Sequence, residues 1–542
     1  MDNKPVIIRL KKRPTIVKPK PPAIRISKRK AAVSIQIAPT QALQRFKTWV
    51  HKARLDEKPH QIEGMQWCLS HELLPMTGLA RRRGGIVADE MGLGKTILML
   101  GCIVSNFRRR TLIILPPALL SQWVKVIQDR LGHRPLVYHG AKIRKTSDEE
   151  LQAAPVVVTT YGMIAARQPS KGAAWISPLW KVRWDRIIYD EAHHMRNMET
   201  ATFQGAKKLR SSISWLVTGT PIQNKKADLY ALCSMLGLDV TTFGNPAALR
   251  RIVHTHILRR TKQQVGIKLP PIRTHQIDIP WKSAPEEKLA ADIHSLSTFS
   301  AVTSANVTEL IQFLGRHHLP VLTRARQCCI LPQLIHRALA KMRPNLLREG
   351  IICEGTRLPT VRTFSKVLSV VETIAARRGN GRRKLVFCWY RGEIDAVAAL
   401  LRRLQIAVRR IDGRVSRKQR KLEMAPSVSQ AQWNSVCKGW HQNAVIHSLV
   451  EDFLAPEVLV VQIQTASEGL NLQQFKEIYF TSPHWNPAVE DQAVARSHRI
   501  GQTSPVDVFR FVMQGFDDRA LSIDQYSQLV QDKKREIMKL VN

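Results

Sequence analysis

Gly84–Thr96 reads GGIVADEMGLGKT. The apolar run Gly85–Ala88 has the composition of a buried strand. It breaks into a turn carrying Gly92 and Gly94, and Lys95 and Thr96 then open an apolar helix over Ile97–Val104. Such a turn can cradle phosphate: glycines let backbone N–H groups approach an anion, and the helix N-terminus adds a favourable dipole. Lys95 can reach the outer phosphates, and the Thr96 hydroxyl can hold Mg²⁺. The general phosphate-loop pattern has glycine where this chain has Asp89, so an ordinary strand–turn–helix is the competing reading of these residues alone.

At 542 residues the chain suits two or three domains. Lys and Arg number 84 against 42 Asp and Glu, a formal net charge of +42 that favours a polyanionic partner, nucleic acid first. An anionic membrane surface is the weaker alternative, because no apolar run approaches the length of a spanning helix and the N-terminus lacks a signal-peptide core. The cysteines contain no C-x-x-C pair, which excludes the usual zinc-ribbon and RING spacings. Cys102 and Cys388 sit in apolar runs as buried thiols, and the pattern implies a reducing compartment.

Residues 1–40 form a basic arm. Lys11-Lys12-Arg13 and Lys28-Arg29-Lys30 are interleaved with Pro5, Pro14, Pro19, Pro21 and Pro22, which block regular structure. A nuclear-import signal, a DNA-tethering tail and a solvated leader all fit. A helical pattern around Phe46, Trp49 and Val50 then leads to Gln61, whose amide offers a donor and an acceptor to an adenine edge.

Short apolar runs follow at Thr111–Leu115, Leu136–Tyr138, Val156–Thr160 and Arg186–Tyr189. Strands alternating with helical stretches predict an α/β fold with a parallel sheet. The last run ends in Asp190-Glu191-Ala192-His193. An acidic pair at the carboxyl end of a strand can hold Mg²⁺ through Asp190 and orient or deprotonate an attacking water through Glu191. A solvated acidic turn is the alternative for the tetrad taken alone.

Five separated strings now stand in one order: DEMGLGKT, DEAHH, TGTPIQN at Thr218–Asn224, LRRTK at Leu258–Lys262 and HWNPAVEDQAVARSHRIGQ at His484–Gln502. Their order and wording resemble the Swi/Snf family of helicase-like ATPases, over roughly residues 55–515. The compact length most resembles the viral members of that family.

The resemblance implies two RecA-like α/β lobes: lobe 1 over residues 41–255, a helical insert and linker over 256–360, and lobe 2 over 361–542 with a terminal helix bracing it. It implies ATP and Mg²⁺ as cofactors, held by Asp89, Glu90, Met91, Gly92, Leu93, Gly94, Lys95 and Thr96, with Gln61 near the base. Asp190 is expected on the metal and Glu191 on the water. Gln492, Arg496 and Arg499 fall on one face if their stretch is helical, and the two arginines are expected to stabilise the transferring phosphoryl group.

Duplex DNA is the implied partner, met through sequence-independent phosphate contacts from Thr159, Thr160, Arg259, Arg260 and Asn471, in a nucleus. Arg259 and Arg260 equally fit a basic face of a linking subdomain. Ala466 and Ser467 stand where the family commonly has two glycines, and Leu422–His447 looks like an insertion packed down by Trp433 and Trp440. Three functional readings follow: a DNA-stimulated translocase acting on chromatin or transcription, a strand-separating helicase, and a catalytically weak DNA-binding transactivator.

Overall fold

The computed structural model describes residues 37–75, 82–140, 143, 146–166, 176–238, 243, 245–295, 319–336, 344, 361–413, 457–466, 472–516 and 520–538. Residues 1–36 of the basic arm, the 422–447 insertion with its two tryptophans, and Ser467–Asn471 lie outside the described residues, while Pro39 and Thr40 at the end of the arm already open a helix.

Helices α1 (Pro39–Lys52) and α2 (Pro59–Leu73) precede β1 (Arg83–Val87), and α3 (Lys95–Ser105) leads to β2 (Thr111–Leu115). Then come α4 (Leu120–Leu131), β3 (Leu136–Tyr138), β4 (Val156–Thr160), β5 (Arg183–Asp190), β6 (Arg210–Val217), α5 (Lys226–Met235) and β7 (Ile257–Leu258). These strands form one sheet in the order β3-β4-β2-β5-β6-β1-β7, every pair parallel. A parallel sheet is covered on both faces, so its strands are almost continuously apolar. All five residues of both β2 and β4 are buried accordingly.

A second sheet has the order β10-β11-β9-β12-β13-β8, again all parallel. Its strands are β8 (Ile272–Ile279), β9 (Arg383–Cys388), β10 (Val408–Ile411), β11 (Val458–Gln462), β12 (Phe475–Phe480) and β13 (Val506–Met513). Helices α6 (Leu319–Ile330), α7 (Ser365–Ala376), α8 (Arg391–Arg403), α9 (Pro487–Ser497) and α10 (Ile523–Met538) accompany it. The chain is thus the two-lobed α/β molecule expected.

The helical span expected from residue 256 is corrected. Strand β7 pairs with β1 in the first sheet, and β8 pairs over its whole length with β13 in the second. Helix α6 likewise packs Leu322, Ala325, Cys329 and Ile330 into the second lobe's core. Within it, the basic Arg326 is buried, its guanidinium 4.1 Å from the Trp389 ring and 4.8 Å from the Trp485 ring. Helix α10 does more than brace the second lobe. Ile523, Tyr526 and Val530 enter that lobe's core, while Ile537 and Met538 pack against the core of the first. Among the described residues no helix is long and apolar enough to cross a membrane.

The first lobe is pinned at its centre by a buried charge. Glu72 accepts two bonds from Arg186 (2.7 and 2.5 Å), one from Trp215 Nε1 (2.7 Å) and one from Asn106 Nδ2 (2.7 Å). This joins α2 to β5, β6 and the end of α3. Removing one partner of a buried pair leaves the other charged and unsolvated. Glu72→Ala is expected to lower first-lobe stability by about 3–5 kcal/mol, read as a drop in the urea midpoint; an unchanged midpoint would mean that Arg186 finds another partner.

Candidate active site

The cradle is built as its glycines require. Gly92 and Gly94 have φ of 94° and 89°, a region that residues with a Cβ rarely enter. A Cβ on Gly94 would also lie 2.3 Å from Gln61 Nε2. Gln61 donates to the Leu93 carbonyl at 3.3 Å, so this amide is brought against the cradle by α2. Lys95 opens α3, and its ammonium donates to the Asp89 carbonyl at 2.7 Å; Thr96 follows in the first helical turn.

Asp89 answers the departure from the general glycine pattern. Its buried carboxylate accepts from Arg260 Nε (3.1 Å), Arg260 Nη2 (2.6 Å) and the Arg260 backbone N–H (3.0 Å). Glu90 in turn accepts from the Lys262 backbone (2.7 Å) and side chain (2.7 Å). The LRRTK string is therefore laced onto the DEMG turn, continuing β7, and it belongs to the first lobe.

The expected DNA contacts are placed differently from the expectation. Arg260 is committed to Asp89 and to the His60 carbonyl. Thr159 and Thr160 are buried, the first donating to the Tyr138 carbonyl at 2.8 Å and the second paired with His139 at 3.1 Å. β4 is a central strand, so the hydroxyls at its end face the protein rather than solvent. Arg259 lies at the cleft, 3.5 Å from the Ala88 and Gly219 carbonyls. Asn471 lies outside the described residues.

Asp190 ends β5, and Glu191 follows at φ 51°, ψ 51°, a left-handed conformation that strains a residue other than glycine. Trp123 Nε1 donates to Asp190 Oδ2 at 2.6 Å. Trp123 is the residue whose role the sequence did not disclose: an indole in an amphipathic helix looks like any other core aromatic. Burial and the neighbouring Glu191 push the Asp190 carboxyl up from its ordinary value to about 7. Burial opposes the charge of Glu191 as well, but His193, Lys95 and Arg496 more than offset it and hold Glu191 well below the usual range. Glu191 stays ionised, and Asp190 favours a nearby cation or a proton. The buried Asp190 carboxylate is an oxygen donor of the kind that fits the hard cation Mg²⁺.

Arg496 comes from the other lobe, close enough to Glu191 for their charges to interact; burial depresses its basicity and Glu191 restores part of it. The expectation of one helical face is corrected: α9 ends at Ser497, with His498 as its cap, so Arg499 is delivered by the loop beyond. It still lies near Arg496, whose basicity it lowers further. Gln492 is buried in α9 and lines, with Glu90, Met91, Gly219 and Arg259, a cleft of about 940 Å³ between the lobes.

A phosphate cradle, an acid pair and an arginine facing them from a second parallel-sheet lobe define a helicase-like ATPase core. The SNF2-related domain matches residues 60–334, just over half of the chain, and the chain belongs to that family. The probable global transactivator of Orgyia pseudotsugata multicapsid polyhedrosis virus is 27% identical over 498 residues, covering 88% of this chain and 89% of that protein. Chromodomain-helicase-DNA-binding protein 6 of Mus musculus is 25% identical over 92% of this chain, which spans only 18% of that larger protein. Among solved structures, the Sulfolobus solfataricus SWI2/SNF2 ATPase core in complex with dsDNA aligns with 90% of this chain at 21% identity and a TM-score of 0.36.

The raised Asp190 carboxyl has a consequence for stability. The folded state keeps a proton there that an unfolded aspartate loses near 3.8, so its contribution to folding is full at low pH and is lost as pH rises through about 7. In buffer containing a chelator, wild-type melting temperature is expected to fall from about pH 5 to about pH 8 more steeply than that of Asp190→Asn. Parallel curves would contradict the assignment.

Proposed function

We propose that this SNF2-related ATPase hydrolyses ATP in a DNA-dependent manner and translocates on duplex DNA, acting on chromatin or transcription complexes in a nucleus. The observation that carries the reading is the approach of Arg496 to Glu191 across the cleft, which makes the catalytic set complete only when both lobes contribute. The backbone of Gly92–Gly94 would hold the phosphates of ATP, with Lys95 serving the outer phosphates and Gln61 the base. Glu191, kept ionised by its cationic neighbours, orients the attacking water. Thr96 and Asp190 would hold Mg²⁺, which would supply neutralisation of phosphate charge. Arg496 and Arg499 stabilise charge on the transferring group.

Hydrolysis is thereby linked to lobe closure. If both lobes also grip a nucleic-acid backbone, cycles of closure and reopening advance the grip. The excess of 42 positive charges supports a polyanionic track, and the relatives named for transactivation and for chromodomain-helicase-DNA binding support DNA as that track. With Thr159, Thr160 and Arg260 engaged inside the first lobe, the proposed grip relies on Asn471 and on other basic surface.

Steady-state ATP hydrolysis measured without nucleic acid, then with single-stranded DNA, duplex DNA and RNA, tests the reading. Duplex is expected to stimulate most strongly, with the effect falling steeply as salt rises because phosphate contacts release counterions. Lys95→Ala is expected to abolish turnover while leaving duplex binding intact. Equal turnover with and without duplex would contradict the DNA-dependent reading.

A further inference from the structure

A chain of close contacts leads from the acid pair to the helix that carries Arg496. His193 Nδ1 lies 3.3 Å from Glu191 Oε2 and 3.2 Å from the Thr218 hydroxyl. The Thr218 hydroxyl accepts the Thr220 backbone N–H at 3.2 Å. The Thr220 hydroxyl accepts from Gln223 Nε2 at 3.1 Å, and Gln223 Oε1 accepts from Asn486 Nδ2 at 3.3 Å. Asn486 belongs to the second lobe, and its Oδ1 caps α9 by accepting the Ala488 N–H at 3.1 Å. Arg496 lies at the far end of that helix.

Gln223 is held rigidly at the crossing. Its backbone N–H and those of Asn224 and Lys225 all donate to Asp228 Oδ2 (3.0, 2.6 and 3.3 Å), and Arg196 donates to the same Oε1 that meets Asn486. Gln223 and Asn486 are both buried, so water does not compete for the bond between them. An amide suits this place because it faces a hydroxyl with its donor and two donors with its acceptor.

We propose that the Gln223–Asn486 bond is a positioning contact for hydrolysis: it docks the N-terminus of α9 onto the first lobe and thereby sets Arg496 against Glu191 and the transferring phosphate. The inference deepens the ATPase reading and rests on it. Neither residue touches nucleotide; they act through Arg496. The bond also gives the first lobe's catalytic end a direct handle on the second lobe.

Asn486→Asp separates the two jobs of this side chain. An aspartate still caps α9, but it presents an oxygen to Gln223 Oε1 where the wild type presents N–H. Gln223→Ala removes the contact from the other side. The measurement is a double-variant cycle with Arg496→Ala, reading affinity for ADP with aluminium fluoride, a mimic of the transferring phosphate, and affinity for a non-hydrolysable ATP analogue. Thermal melting confirms the fold of each variant.

Asn486→Asp is expected to weaken the transition-state mimic on the order of 10-fold, leave the ATP analogue unchanged, and have no further effect once Arg496 is alanine. Gln223→Ala is expected to behave alike. Unchanged affinity for the mimic, or an equal loss with and without Arg496, would overturn the positioning role. These binding readouts stay informative in a protein that turns over no ATP, so failure of the relay and failure of the ATPase reading are distinguishable.

Discussion

Two carboxyl groups side by side at the end of a buried strand cannot both stay charged unless cations face them. That constraint at Asp190 and Glu191 organises the site. Lys95 faces the pair from the cradle and Arg496 from the opposite lobe, while the His193 ring lies 3.3 Å from Glu191. The Trp123 indole steadies Asp190 without adding charge. Because one of these cations belongs to the second sheet, the electrostatics of the acid pair reach across the cleft. The same surroundings divide the pair: Glu191 is held well below the usual carboxylate range, while burial and the Glu191 charge raise Asp190.

Lobe-to-lobe contact is correspondingly specific. The Gln223–Asn486 bond, the cleft lined by residues of both sheets, and the crossing of α10 with Ile537 and Met538 on the first core all hold the lobes in register. Lys534 of α10 donates to the Trp485 carbonyl and lies near Asp228 of the first lobe. Asp228 is the residue that fixes the backbone of Gln223. The terminal helix and the Gln223 turn therefore meet at one place.

Much of this was legible in the sequence because glycine spacing and apolar runs report backbone geometry directly. Gly92 and Gly94, the buried runs of β2 and β4, and the acid pair at a strand end all carry their own signal. Long-range pairing carries none in the local pattern. That is why β8, exposed along most of its length, read as part of an irregular linker and not as the partner of β13. The same reason hid the partner of Asp89: Arg260, which pairs with its carboxylate, lies 171 residues away. Thr159 and Thr160 were expected at a nucleic-acid surface from the family resemblance, yet their place at the end of an interior strand turns them inward. Helix α9 ended two residues before Arg499, since periodicity fixes a face but not a boundary.

The central claim is that catalysis is shared between the lobes, and the most direct measurement compares nucleotide affinity with duplex-stimulated turnover in Arg496→Ala. An arginine that acts only on transferring charge contributes roughly 10³–10⁵ to turnover in related phosphoryl-transfer sites. ATP is expected to bind Arg496→Ala as it binds the wild type while turnover collapses toward that extent. Turnover within a few-fold of wild type would contradict it and would leave the first lobe as the whole catalytic site.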